Sequence, residues 1–259
     1  MNKEELRRLL EITRFPRSGG YDPEWVVENQ MGPNALWLTE WLREDLKITT
    51  HDRVLDLGCG KAMSSVFIAR EFGASVIAND LWTDASDNFK RIREAGLAKI
   101  VCPVRAEAHS LPYAHGFFTC VVSIDAYQYF GTDEMYLPYL CDFIEQGGTL
   151  GLVMPALMRE FGDSVPGHLR RKQESGGVFW DDKACFSLHT VDWWRGHLQK
   201  TGLVEVKVAD VLEDGWRYWL AWERALAASG HNVFPSDEQT LAEDAGRYLG
   251  FCRLVAKRI

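Results

Sequence analysis

From residue 53 onward, short apolar runs alternate with longer stretches whose apolar residues recur at helical spacing. The runs predict strands at 53–57, 75–79, 99–105, 118–124 and 148–154, and the stretches predict helices at 62–72, 86–96 and 134–145. Further along, 191–200 reads as a helix, and 204–211 and 251–257 as two more strands. Strands alternating with helices imply a parallel sheet covered on both faces. The predicted fold is therefore α/β, a doubly wound, mostly parallel sheet of seven strands. Ahead of it, 3–14 reads as a short amphipathic helix, broken by the Arg17–Pro23 stretch with its Gly19-Gly20 pair. A second helix spans 34–46, with Leu36, Leu38 and Trp41 facing inward.

The pattern divides the chain into four segments: an N-terminal helical cap at 1–50, a ligand-binding core at 51–155, a cap insertion at 156–190, and the rest of the core at 191–259, interrupted by a helical insertion at 213–249. Both insertions are rich in aromatics, with Phe161, Phe179, Trp180 and Phe186 in the first and Trp216, Tyr218, Trp219 and Trp222 in the second. Aromatic stripes on helices are core more often than binding surface, and Trp219 and Trp222 are assigned to packing. Ten tryptophans are nonetheless many for 259 residues. A desolvated pocket for a small organic molecule is the simplest use for some of them.

Chemistry enters at Val54-Leu55-Asp56-Leu57-Gly58-Cys59-Gly60, an apolar run that ends in a turn with almost no side chains and hands over to a helix. Glycines there let the backbone approach a ligand, and the helix N-terminus offers free N–H groups. About twenty residues on, Val76-Ile77-Ala78-Asn79-Asp80 reads as a second buried strand ending in a carboxylate, placed to bond both hydroxyls of a ribose. The pair points to an adenosine-containing ligand. A dinucleotide fingerprint needs a third small residue where Met63 stands, and Asp56 would repel a pyrophosphate. Gly60-Lys61 is not followed by Ser or Thr, so a phosphate-binding loop is excluded as well.

The arrangement resembles motif I of the Rossmann-like S-adenosylmethionine methyltransferases, with Ala62 where that superfamily often has a third glycine. The resemblance continues through Glu107-Ala108-His109-Ser110-Leu111-Pro112-Tyr113, through Ser123-Ile124-Asp125-Ala126-Tyr127-Gln128-Tyr129-Phe130 and through Gly147-Gly148-Thr149, covering roughly 50–155. It implies S-adenosylmethionine as cofactor. Asp56, Gly58, Cys59 and Gly60 would form the turn against it, Asp80 would bind the ribose, and Leu81, Trp82, Ala106, Glu107 and Ala108 would surround the adenine. Ser123 and Asp125, at the end of the fourth strand, would face the methionine part and the substrate.

Composition narrows the partners. Net charge is −8, from 29 basic and 37 acidic side chains, which disfavours nucleic acid. Asp125-Ala126-Tyr127-Gln128 also lacks the Pro-Pro motif of base-amino methylases. The densest basic run, Arg170-Arg171-Lys172 after His168, reads as a solvated face, with an acidic-substrate site as the sharper alternative. Six cysteines form no Cys-x-x-Cys pair, so no metal site is expected and a reducing cytoplasm is. The charged Met1–Arg17 stretch has no apolar signal region, and no segment approaches bilayer-spanning length. A cytoplasmic enzyme without stable membrane association is the expectation, its oligomeric state open.

Methyl transfer from a sulfonium mainly requires the acceptor to be held close and aligned. An oxygen or carbon acceptor usually needs a base, whereas an amine needs only to be held neutral. Tyr127 is the first candidate for a catalytic role, followed by Tyr21 and His189, and Tyr129, His168, Trp180 and Trp216 are candidates for substrate contact. Tyr21 lies in a loop from which related enzymes close over the cofactor, and His189 precedes the expected helix cap Thr190. The expected function is methyl transfer to a small organic acceptor, an amine nitrogen first. The alternatives are O- or C-methylation, a cyclopropane-fatty-acid-synthase-like reaction, or a regulatory module that binds S-adenosylmethionine without transferring its methyl group.

Overall fold

The computed structural model describes residues 1–259. Three helices come first, α1 (Lys3–Leu10), α2 (Pro23–Glu28) and α3 (Ala35–Leu42). The core then runs β1 (Arg53–Leu57), α4 (Met63–Phe72), β2 (Ser75–Asp80), α5 (Ala85–Glu94), β3 (Val101–Arg105), β4 (Phe118–Ile124), α6 (Tyr136–Cys141) and β5 (Ile144–Leu157). A single helical turn, α7 (Gly167–Arg170), precedes α8 (Val191–Gln199) and β6 (Val204–Val211). Two helices, α9 (Gly215–Ser229) and α10 (Glu238–Asp244), lead into β7 (Leu249–Arg258).

The strands form one seven-stranded sheet in the order β3-β2-β1-β4-β5-β7-β6. β1 to β5 are parallel, and β7 runs antiparallel to both β5 and β6. Buried parallel strands present apolar side chains to both faces. Accordingly Val54, Val76, Val122 and Val153 join the larger core on one face, with α3 and α4. Leu55, Leu57, Val121 and Leu152 join a second core on the other, with α6 and α8. Gly151 lets α3 and the turn after it sit directly on the sheet, since a Cβ there would lie 3.1 Å from a Leu42 methyl and 2.6 Å from a Leu46 methyl.

Helix starts follow local chemistry. Asp22, Asn34, Asp84 and Thr190 each cap a helix by accepting backbone N–H groups of its first turn. Several ends depart from expectation. The helix expected at 3–14 stops at Leu10, because Glu11 turns extended and Phe15 swings in to stack on Trp37 at 6.0 Å. The one expected at 34–46 ends at Leu42, and the one at 134–145 shrinks to α6, because Ile144 already pairs with Phe118 across the sheet. The strand expected at 148–154 is longer, since β7 pairs with β5 as far as Leu157. No helix is long and apolar enough to cross a membrane.

Order reverses between β1 and β4, so their carboxyl ends flank a crevice.

Candidate active site

The turn after β1 is built on left-handed backbone. Gly58, Gly60 and Ala62 have φ of 78°, 53° and 64°. Only glycine adopts this region freely, and a Cβ on Gly58 would meet Ala126 Cβ at 2.4 Å. The backbone N–H groups of Gly58 and Cys59 both donate to the Asn79 carbonyl, at 2.9 and 3.0 Å, tying the turn to β2. One oxygen of Asp80 accepts from Gly60 N–H at 2.9 Å, while the other accepts from Trp82 N–H at 2.8 Å and Thr83 N–H at 2.7 Å. That carboxylate spans the two strand ends.

Beyond the turn opens a cavity of about 680 Å³. Gly58, Cys59 and Gly60 line it, as do Asp80, Leu81 and Trp82 and, opposite them in sequence, Ala106, Glu107 and Ala108. Trp82 is 74% exposed beside the Asp80 carboxylate, an unusual position for an indole unless a flat apolar partner covers it. A cradle that a Cβ would fill, a strand-end carboxylate and an open aromatic face together fit a nucleoside. Glu107 is held below the ordinary carboxyl range, first by its bond to His109.

Two predicted cofactor residues lie underneath this surface. Asp56 is fully buried, its Oδ2 accepting from the Ser64 and Ser65 hydroxyls at 2.6 and 2.5 Å, and burial raises its carboxyl to about 6. Ser123 is likewise buried and donates to the Leu57 carbonyl at 2.7 Å. Both brace the strand ends from below. Asp125 does line the cavity, with φ of 54° and Oδ1 accepting from Gln128 Nε2 at 3.0 Å.

The acceptor candidates are largely redistributed. Tyr127 is 0% exposed and packs among Phe130, Tyr136 and Trp194 on the far side of its segment, so it does not reach the cavity. Tyr21 is buried against Phe67 and Trp25, its hydroxyl near Glu71. His189 stacks on Trp193 at 3.6 Å, and burial lowers its pKa. His168 is not a surface group but a buried partner of Asp244 at 2.8 Å. Trp180 packs on Phe161, and Trp216 on Gly246 and Arg217. Among these candidates Tyr129 alone lines the cavity.

The rest of the wall comes from residues that the sequence did not assign to the site. Met31 and Gly32 arrive from the N-terminal segment, Phe179 from the first insertion, and Trp219, Glu223, Phe234 and Asp237 from the second. Trp219, assigned to packing, thus does both. Its helix presents Trp219, Glu223 and Leu226 on one face. That spacing is visible in the sequence, but not which partner the face meets. Gln30 donates to the His231 carbonyl at 3.0 Å and Trp222 to the Gly32 carbonyl at 2.8 Å, which locks the two distant segments together.

Residues 54–148 match the family described as "Methyltransferase domain". Methyltransferase GfsG of Streptomyces halstedii is 24% identical over 195 residues, 75% of this chain and 68% of the relative. The core of this chain is an S-adenosylmethionine-dependent methyltransferase domain of the Rossmann-like class. The methyltransferase also shares its fold with solved structures. The [4+2]-cyclase SpnF aligns at a TM-score of 0.65 and 19% identity, over 89% of this chain and 83% of that one. Geranyl diphosphate C-methyltransferase from Streptomyces coelicolor A3(2), solved with Mg²⁺, geranyl diphosphate and S-adenosyl-L-homocysteine, aligns at 0.62 and 18% identity, over 85% and 79%. At such identities the likeness is one of fold.

Acidic side chains line the methyltransferase's cavity at both ends, Asp80, Glu107 and Asp125 among those nearer the glycine turn. Lys61 is the one Lys or Arg lining the cavity, and it lies at the glycine turn with its ammonium on the Glu28 carbonyl. The far wall carries Glu223 and Asp237, and neither forms a salt bridge. Burial, and then the Glu223 charge, raises Asp237 to about 6; burial raises Glu223 too.

Proposed function

We propose that this methyltransferase methylates the nitrogen of a small amine that also carries an apolar or aromatic body. Two carboxylates without a cationic partner, set among the faces of Phe179, Trp219 and Phe234, carry this reading. Uncompensated buried charge is costly, and a ligand cation offsets it. Aromatic faces add attraction for the same cation, about 0.5–2 kcal/mol per contact. A phosphorylated acceptor would meet repulsion at that wall.

Bound S-adenosylmethionine supplies a methyl group already activated on a sulfonium. The chain's own part is to hold and orient. In this reading the Gly58–Gly60 turn and Asp80 hold the adenosine and methionine ends, and Leu81, Trp82 and Ala106 to Ala108 enclose the base. Glu223 and Asp237 attract the cationic acceptor into the cavity through their charge, and the apolar wall excludes water around the nitrogen. Six unpaired thiols favour a reducing cytoplasm as its place of work.

Turnover over a panel of amines, phenols and phosphorylated alcohols tests this. Amines should dominate, with the loss concentrated in KM when Glu223 becomes Gln. Preference for a phenol or phosphate would overturn the reading.

A further inference from the structure

We infer that Asp125 and Gln128 form the station that receives the reacting nitrogen, Asp125 taking its proton and Gln128 fixing its direction. This rests on the amine reading above. Asp125 follows β4 directly, with its N–H held on the Val153 carbonyl at 2.8 Å and its backbone left-handed at φ 54°. Non-glycine residues take that conformation rarely, and strain of this kind gathers at functional sites. Here it turns the carboxylate toward the cavity instead of along the strand.

The two side chains are complementary. Gln128 is 2% exposed, its Nε2 donates to Asp125 Oδ1 at 3.0 Å, and its Oε1 has no partner at all. Buried acceptors are nearly always satisfied, so this one awaits a donor. Asp125 forms no salt bridge, and both residues line the cavity next to the glycine turn. A nitrogen bearing two hydrogens answers both needs, donating one to Gln128 Oε1 and the other to Asp125. The proton leaves the ammonium, its N–H electron pair stays behind as the lone pair, and a new O–H bond forms on Asp125. The freed lone pair is the nucleophile. Burial raises this carboxyl to about 7, where it exchanges a proton near neutral pH. Its charge in turn raises the Tyr129 phenol, and Asp80, Glu107, His109, Lys61, Glu223 and Asp237 are the other acidic and basic side chains lining the same cavity.

Calorimetric binding of phenethylamine to the full chain saturated with S-adenosylhomocysteine, across the neutral pH range, tests the assignment. Wild-type affinity should rise as pH passes about 7, because Asp125 gains charge. Asp125→Asn, whose side chain tolerates the left-handed backbone, should remove that step and weaken the amine about tenfold while S-adenosylhomocysteine binds as before. Gln128→Met should move the step to higher pH, since it loses the N–H that favours the charged carboxylate. Amine binding indifferent to Asp125→Asn overturns the assignment alone, as does an equal loss of S-adenosylhomocysteine. A wild type that binds no amine at any pH overturns the amine reading and this inference together.

Discussion

Asp125 and Gly32 meet across the cavity wall so closely that a methyl group on Gly32 would lie 2.3 Å from Asp125 Oδ2. The contact joins the N-terminal segment to the end of β4, and Trp222 holds Gly32 from the other side. Gly32→Ala should therefore push this segment off Asp125. Overpacking of this kind costs about 1–3 kcal/mol, so thermal unfolding should fall by several degrees and acceptor KM should rise. An unchanged melting temperature would show that the contact yields freely.

The Gly58 position combines a left-handed φ of 78° with a 2.4 Å approach to Ala126. Gly58→Ala should cost more than about 1 kcal/mol and weaken S-adenosylmethionine binding by calorimetry. Full affinity would mean that the turn does not contact the cofactor.

Tyr127 offers the opposite expectation. Its hydroxyl is buried without a partner, so Tyr127→Phe removes an unsatisfied group and should be neutral or slightly stabilising. Turnover should stay within about twofold of wild type, since the ring does not face the cavity. A large drop in kcat would return Tyr127 to the catalytic site.

These outcomes reflect what a sequence can express. The turn at Gly58 to Gly60 and the carboxylate of Asp80 were legible because strand, glycines and acid are local features with fixed spacing. The sheet was legible for the same reason, its alternating elements leaving few topologies. Tyr127 was misplaced because Ala126, Gln128 and Tyr129 of the same turn take the cavity side and leave its ring among Tyr136 and Trp194, which neither composition nor spacing records. Asp56 was placed against the cofactor, although Ser64 and Ser65, in the first turn of the helix that follows, close over it. The far wall was hidden for another reason. Phe179, Glu223 and Asp237 are distant in sequence and meet only when the two insertions pack together.

Acidity should act on that wall in a defined direction. Asp237 is raised from 3.8 to about 6 in the folded chain, so folding favours its protonated form. The associated stability is present below pH 3.8 and is lost as pH rises through about 6. Asp237→Asn should therefore raise the melting temperature of the ligand-free protein at alkaline pH and change it little in acid. A variant that melts lower at alkaline pH would show that Asp237 is already paired.

The most direct measurement supplies S-adenosylmethionine carrying a ¹³C-labelled methyl group, together with mixed amine, phenol and alkene acceptors, and follows the label by NMR. The account predicts a new N–¹³CH₃ signal from the wild type, strongly reduced when Glu223 and Asp237 are both made neutral. Label appearing on oxygen or carbon, or N-methylation indifferent to those two carboxylates, would contradict it.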